Sequence, residues 1–142
     1  MYQAARDCAV KPSGLWLDST GCLGGSPDGI VSDSVIVEVK CPYSLRDTTV
    51  CSALADPNFF LTRNDAGDII VNKRSTLGLQ YYHQMQGNLH LTSRSQCDFV
   101  VWTPQEMAVI DVEKDACWAD NLDLLRAFYR DSFLPVFIAG GV

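Results

Sequence analysis

The segment GGSPDGIVSDSVIVEVKCP, residues 24–42, combines two apolar runs with two acidic residues and a lysine. The first run follows a Pro-Asp-Gly turn that contains Asp28, and the second, VIVEVK, carries Glu38 and Lys40 two positions apart. Serines and an aspartate at residues 32–34 separate the runs, so we predict two neighbouring strands joined by a short turn. A strand as apolar as the second is expected in the core, and its charged pair therefore needs an explanation.

One interpretation of the charged pair is purely structural. Because successive side chains of a strand alternate, Glu38 and Lys40 share a face with Ile36, and the three valines of the run form the other face. The polar face would then be solvated and would carry an ion pair worth about 0.5 kcal/mol.

A second interpretation takes Asp28 into account. If the two strands pair, Asp28 and Glu38 come close at one end of the sheet, where two carboxylates repel each other unless a cation is bound. Mg²⁺ is held by one or two carboxylates together with water and phosphate oxygens. A lysine such as Lys40 beside that ion can hold a metal-bound water or stabilise charge on a phosphate.

The composition limits the class of protein. A chain of 142 residues with 47% hydrophobic and 20% charged residues is expected to form one globular domain. Its six cysteines are scattered without a C-x-x-C pair, which argues against zinc and iron–sulfur sites. No apolar run approaches the roughly 20 residues of a membrane span. The start of the chain lacks a secretory pattern, so we expect an intracellular protein, in the nucleus or the cytoplasm.

The rest of the sequence predicts alternating strands and helices. We expect helices at residues 2–9, 75–93 and 115–137, a hairpin at 58–73, and strands at 97–104 and 106–112. The last helix is expected to bury a stripe of Trp118, Leu122, Leu125 and Tyr129, and Trp102 is also expected in the core. This order indicates an α/β (α+β) fold in which helices pack on a sheet.

The segment SPDG followed by EVKCP resembles the PD-(D/E)xK nucleases. More narrowly, it resembles the YqaJ viral-recombinase group, to which phage lambda exonuclease is similar. The stretch YYHQMQGNLHLTSRSQCDFVVWTP, residues 81–104, resembles that group's helix with paired glutamines and the strand that follows it. The similarity extends over about residues 14–135 and implies a restriction-endonuclease-like core with a central mixed sheet flanked by helices.

The resemblance implies roles for individual residues of the opening segment. Asp28 and Glu38 would be catalytic metal ligands, and the backbone carbonyl of Val39 would complete the metal site. Lys40 would be the catalytic lysine, and Ser26 would contact the scissile phosphate.

The resemblance also points to residues further along the chain. Gln84 and Gln86 would lie on the helix that closes the active site, although an exposed helix face is the alternative for both. They lie about 200° apart around a helix, and Gln86 falls nearer the apolar stripe, so Gln84 is the stronger catalytic candidate. Arg46, Lys73 and Arg74 are candidates for phosphate contacts, with ordinary surface charge as the alternative. Such contacts would matter because the net charge is −6 and DNA-binding proteins usually carry a basic face.

The activity that the resemblance implies is hydrolysis of DNA phosphodiester bonds with Mg²⁺, for which Mn²⁺ would substitute. It implies 5′ to 3′ digestion of double-stranded DNA in recombination and repair. It also implies a homo-oligomer, a trimer by family resemblance, and a single-strand annealing protein as partner.

The sequence departs from the family pattern at its start. Family members carry a glutamate on a helix before SPDG, and MYQAARDCAV is expected to be only the end of that helix. Residues 1–142 would then be a single nuclease domain without the family's N-terminal helical part. Alternatives are a weakly active or inactive fold that binds DNA or a recombination partner, a non-specific endonuclease or nickase, and an unrelated α/β binding domain.

Overall fold

The computed structural model describes residues 1–140. The strands in this part of the chain are β1 (Trp16–Leu17), β2 (Gly24–Gly25), β3 (Gly29–Ile30), β4 (Val35–Lys40), β5 (Leu61–Arg63), β6 (Ile69–Val71), β7 (Gln96–Trp102) and β8 (Met107–Glu113). The α-helices are α1 (Tyr2–Arg6), α2 (Val50–Ala53), α3 (Thr76–Leu91), α4 (Asp120–Phe128) and α5 (Leu134–Ala139). None of the helices in residues 1–140 is long and apolar enough to span a membrane.

A mixed four-stranded sheet forms the centre, in the order β3-β4-β7-β8. Strands β3 and β4 pair antiparallel as predicted, and so do β7 and β8, whereas β4 and β7 are parallel. A parallel pair needs a long crossover connection, and here it contains the predicted hairpin of β5 and β6 followed by α3. The predicted α/β fold with a mixed sheet and flanking helices is therefore confirmed.

Helix α3 packs on the sheet through the predicted stripe. Ser75 is its N-cap, and the Ser75 hydroxyl accepts a hydrogen bond from the N–H of Gly78. Tyr82, Met85 and Leu89 are buried in one cluster with the side chains of β4 and β7. This packing places α3 directly over the face of β4 that contains the charged pair.

The burial of Glu38 contradicts the interpretation in which the polar face of β4 is solvated. Ile36 and Glu38 lie under α3 and are 0% and 2% exposed, whereas Val39 on the other face is 38% exposed. The face with Glu38 is therefore buried, and the expectation of a solvated polar face is wrong; on the other face Val37 is buried as well. Position in the fold decides this, because the crossover helix α3 packs on the face that carries Glu38.

The C-terminal helical region differs from the single amphipathic helix that was predicted. It consists of a 3-10 turn at Ala116–Ala119, then α4, a π-helical stretch at Tyr129–Phe133, and α5. Pro135 has no N–H to donate to the preceding turn, which accounts for the wider turn before it. Trp118 is buried, but Leu125 is 45% exposed and the predicted core residue Trp102 is 36% exposed. The predicted stripe is therefore only partly buried.

Candidate active site

Glu38 is a buried carboxylate surrounded by hydrogen-bond donors. Its Oε1 atom accepts hydrogen bonds from Nζ of Lys40 at 2.6 Å and from Nε2 of Gln84 at 2.5 Å. Its Oε2 atom accepts a longer one, 3.4 Å, from Nδ2 of Asn88. Three side chains, those of Lys40, Gln84 and Asn88, therefore donate hydrogen bonds to this one carboxylate.

The electrostatics of Glu38 favour a bound cation. Burial raises the pKa of Glu38, and the nearby charge of Asp28 adds to this effect, while the hydrogen bond and charge of Lys40 and the amide of Gln84 oppose it. The ionised carboxylate is therefore disfavoured where it lies unless positive charge is close by. In this structure the Lys40 ammonium supplies that charge.

Asp28 reaches the same place from the neighbouring strand. The β3–β4 ladder ends where Gly29 faces Val37, so the N–H of Val39 has no ladder partner on that edge of β4. Oδ2 of Asp28 accepts this N–H at 2.7 Å. Because the N–H and C=O of a strand residue point to the same edge, the carbonyl of Val39 is directed toward Asp28 as well.

The Pro-Asp-Gly turn holds Asp28 there through a glycine. A Cβ atom on Gly29 would overlap with Cγ1 of Val10 and would lie 3.1 Å from Cγ1 of Val37. Only a glycine therefore lets the chain pass between these two valines. This close approach fixes the first residue of β3 against β4 and with it the preceding aspartate.

Asn88 belongs to the site, although it is not among the residues predicted from the sequence. It follows Gln84 by four residues, so both side chains lie on the same side of α3 and point to Glu38. Asn88 is buried, and a Cβ on Gly25 would overlap with its Oδ1 atom. The spacing of four from the predicted glutamine was the signal that could have found it.

The structure corrects the prediction for Gln86. This residue is 0% exposed, its Nε2 donates to the carbonyl of Glu113 at 2.8 Å, and its Oε1 accepts the N–H of Asp115 at 2.8 Å. Both ends of the amide are therefore used inside the protein, on the side of α3 away from Glu38. Gln86 joins α3 to the end of β8 and cannot contact DNA from this position.

Ser26 and Arg46 make no contact with the acidic residues of the site. Ser26 lies two residues before Asp28 and is exposed. Its hydroxyl donates a hydrogen bond to the carbonyl of Gly14 at 3.0 Å. The Arg46 guanidinium stacks on the ring of Tyr43, 4.2 Å from its centroid, and pairs with Asp47. Ser26 therefore lies beside the site, whereas the charge of Arg46 is engaged locally.

Lys73 and Arg74 lie before α3 and are exposed. Nζ of Lys73 is 3.6 Å from the centroid of the Tyr82 ring, and the charge of Lys73 helps to lower the pKa of Asp115. Tyr82 points away from Gln84 around the helix, toward β8. The structure therefore does not group Lys73 with the acidic residues, and Arg74 remains a candidate for DNA contacts by its exposure alone.

The oxygen atoms at this site fit a hard divalent cation. Among residues 1–140 there is no group of three or more His, Cys, Asp and Glu side chains that could hold a metal. Asp28 and Glu38 instead offer two carboxylates and Val39 a carbonyl oxygen on the same strand edge. Mg²⁺ suits such a set, because it is commonly bound by one or two carboxylates and keeps several waters.

Comparison with known proteins shows similarity to nucleases. The chain is 29% identical, over 126 residues, to the alkaline nuclease of Autographa californica nuclear polyhedrosis virus; the match covers 79% of this chain and 30% of the viral protein. No family model matches the chain.

Solved structures share the fold at lower sequence identity. An alkaline exonuclease from Laribacter hongkongensis has a TM-score of 0.67 at 21% identity, covering 98% of this chain and 64% of the exonuclease. The structure of the same exonuclease in complex with dAMP has a TM-score of 0.69 at 22% sequence identity and covers 97% of this chain and 64% of the exonuclease. A phage-related exonuclease from Haemophilus somnus has a TM-score of 0.58 at 16% sequence identity and covers 87% of this chain and 60% of that exonuclease. These findings confirm the predicted resemblance and fold, and this chain spans less than two thirds of each relative.

Proposed function

We propose that this chain is a metal-dependent nuclease that hydrolyses phosphodiester bonds of DNA. The observation that carries the proposal is the buried carboxylate of Glu38, held between Lys40 and Gln84 on the strand edge where Asp28 lies. A structural ion pair has no need of a second acidic residue on the same edge, whereas a metal site does. The names of the similar proteins, an alkaline nuclease and two exonucleases, support the same chemistry.

The residues present suggest how the site would work. Asp28, Glu38 and the carbonyl of Val39 would hold Mg²⁺, or Mn²⁺ in its place. Bound there, the ion would polarise a phosphate oxygen and lower the pKa of a bound water. Two acidic side chains, one lysine and a divalent ion together leave one positive charge, which matches the single negative charge of a phosphodiester.

Lys40 and the two amides have separable roles in this proposal. The Lys40 ammonium has three N–H donors and uses one on Glu38, so it has donors left for a phosphate oxygen or for the attacking water. Gln84 and Asn88 hold the Glu38 carboxylate in one orientation from the rigid helix α3. In the proposal, exposed Ser26 next to the turn with Asp28 contacts the substrate phosphate.

The finer features of the proposal rest on resemblance. We include digestion of double-stranded DNA from 5′ ends and assembly as a homo-oligomer, both of which follow from the similarity to exonucleases. The dAMP bound to the Laribacter enzyme supports recognition of a nucleotide by this fold. A single-strand annealing protein remains the proposed partner in recombination.

The test is cleavage of two DNA substrates, a linear duplex labelled at one 5′ end and a closed circular plasmid. Each is incubated with Mg²⁺, Mn²⁺ or EDTA and with the wild type or Lys40→Ala. We expect metal-dependent loss of the linear duplex only, abolished in Lys40→Ala. Lys114, which follows β8 at the end of the sheet opposite Lys40, provides the matched control Lys114→Ala, which should remain active.

Other outcomes would change the proposal. Nicking of the circular plasmid would identify an endonuclease built on the same residues. Metal binding without cleavage of either substrate would contradict the proposed activity and favour an inactive fold that binds DNA. Equal activity of Lys40→Ala and the wild type would remove Lys40 from the mechanism.

A further inference from the structure

The C-terminal helical region carries large apolar side chains that the domain does not cover. Trp118 and Leu122 at its beginning pack with the hydrophobic core, and within the described chain no residue beyond Leu122 joins that core. Six side chains further along are 45–72% exposed, and together they are called here the C-terminal stripe: Leu124, Leu125, Phe128, Phe133, Val136 and Phe137. Single exposed apolar residues are common on protein surfaces, so the question is whether these six form one patch.

The π-helical turn at Tyr129–Phe133 brings the stripe onto one side of the region. In a regular α-helix each residue advances by about 100°, so Phe128 and Phe133 would point about 140° apart. Here the N–H of Leu134 donates to the carbonyl of Tyr129, five residues earlier, and this wider turn moves the two phenylalanines onto the same side. The rings of Tyr129 and Phe133 stack with their centroids 5.5 Å apart, and those of Phe133 and Phe137 with theirs 6.0 Å apart. The stripe is therefore continuous from α4 to α5.

The area of the stripe is large for a monomer and sufficient for a dimer. A large apolar side chain that is about half exposed presents roughly 100 Å², which gives about 650 Å² for the six residues. The largest apolar patch on a typical monomer measures about 300–600 Å². Two stripes packed on each other would bury about 1,300 Å², and specific protein interfaces bury about 1,200–2,000 Å².

The charges around the stripe favour a copy of the same protein over DNA or a lipid surface. From residue 123 to residue 139 the chain has four charged side chains, and they form two ion pairs, Arg126 with Asp123 and Arg130 with Asp131. The region therefore offers no surplus of positive charge, which is what attracts DNA and anionic lipids. Because the stripe itself is uncharged, it can pack against an identical stripe without burying an unpaired charge.

We propose that a second copy of this chain packs on the C-terminal stripe in a two-fold symmetric dimer. The inference rests on the homo-oligomer included in the proposed function and names the surface that forms it. A patch that is complementary to itself gives an isologous contact, which closes at two copies, whereas a ring of three uses two different surfaces on each copy. Leu125 also lines the cavity that Gln84 and Asn88 line, so the second copy lies next to the candidate active site.

The test is sedimentation velocity of the wild type and three variants over about 1–100 μM, since interfaces of this size have dissociation constants of about micromolar or below. Phe128→Glu and Val136→Glu each place a carboxylate in the stripe, at exposed positions where the fold of one copy tolerates it. Ile138→Glu is the matched control, because Ile138 is 70% exposed and lies about 200° around α5 from Val136. Circular dichroism melting curves establish that all four proteins are folded.

We expect the wild type to be a dimer with a dissociation constant of about micromolar or below. Phe128→Glu and Val136→Glu should raise this constant about 100-fold or more, because a two-fold interface contains each new carboxylate twice and like charges repel. Ile138→Glu should change it by about threefold or less.

A wild type that is a monomer at every concentration, a trimer, or a dimer that both stripe variants retain would overturn the inference. An equal loss of the dimer in Ile138→Glu would overturn it as well, since that residue lies outside the stripe. Cleavage of the linear duplex by the same preparations tests the nuclease activity separately, because an active monomer refutes only the dimer.

Discussion

Nε2 of Gln84 lies 2.5 Å from Oε1 of Glu38, a contact between residues separated by 46 positions in the sequence. It joins the crossover helix α3 to the strand that carries the acidic residue and the lysine. Strand β4 supplies the charges, and α3 supplies the groups that hold one of them in place. The site is therefore a property of the packed α3–β4 unit and not of the VIVEVK segment by itself.

Gln84→Ala should reduce cleavage of linear duplex DNA by about 10–100-fold, the usual effect of losing a residue that orients a metal ligand. The cause is the lost hydrogen bond to Glu38, which leaves the carboxylate free to turn. Initial rates at saturating Mg²⁺ measure this effect. Gln3→Ala changes an exposed glutamine on α1 and should retain wild-type rates; an equal loss in both variants would contradict the orienting role.

Glu38→Gln should stabilise the metal-free protein at neutral pH. Burial raises the pKa of Glu38, so the folded state favours the neutral side chain. The stability that this group contributes is fully present below its unfolded pKa of 4.5 and is lost as the pH rises through the folded pKa. A neutral amide avoids that loss, and we expect a melting temperature a few degrees higher at pH 7 in EDTA.

The pH dependence and the metal provide the controls for Glu38→Gln. The difference in melting temperature should shrink as the pH falls toward 4, where the wild-type carboxyl is protonated. Addition of Mg²⁺ should raise the melting temperature of the wild type and leave that of the variant unchanged. A variant that is less stable than the wild type at pH 7 without metal would show that the Glu38–Lys40 ion pair stabilises the fold.

Much of the site could be read from local sequence. The turn between β3 and β4 and the alternation along β4 were enough to predict that Asp28, Glu38 and Lys40 share one end of the sheet. The burial of Glu38 could not be predicted, because it depends on which face of the sheet the crossover connection covers. Asn88 follows the predicted Gln84 by four residues, and this spacing was the only local sign of it, since an asparagine on a helix does not by itself indicate a partner on a distant strand.

Gln86→Leu tests the correction for the second glutamine. The leucine leaves the carbonyl of Glu113 and the N–H of Asp115 without their partner, and each buried unsatisfied group costs about 1–3 kcal/mol. We expect the free energy of unfolding in urea to fall by about 2–4 kcal/mol, with no change in the DNA affinity of the folded protein. Gln80→Leu is the exposed control and should change stability little; a loss of DNA affinity without a loss of stability would restore Gln86 to the binding surface.

The C-terminal helical region shows where periodicity alone fails. The spacing of Trp118, Leu122 and Leu125 is helical, and a buried stripe follows only if another element packs along its whole length. The structure buries the first residue and leaves the third half-exposed, because the region contacts the domain mainly at its beginning. What fixes α4 is instead an ion pair that no local pattern indicates.

Arg126→Met should weaken the attachment of α4 to the β1–β2 connection. Nε of Arg126 donates to Oδ2 of Asp18 at 2.8 Å, and this bond is the largest of the contacts that lower the pKa of Asp18 to about 2, with smaller contributions from the Thr20 hydroxyl and the N–H of Leu23. Because the pKa of Asp18 is lower in the folded protein than its unfolded value of 3.8, the ionised carboxylate stabilises the fold above pH 3.8. This stabilisation is lost as the pH falls through about 2, where the folded carboxyl is protonated. The variant should therefore melt below the wild type at pH 7, and the difference should disappear between pH 4 and pH 2. Arg130→Met removes an exposed pair with Asp131 and should have little effect at any pH; a pH-independent loss in Arg126→Met would assign its role to packing of the arginine stem instead.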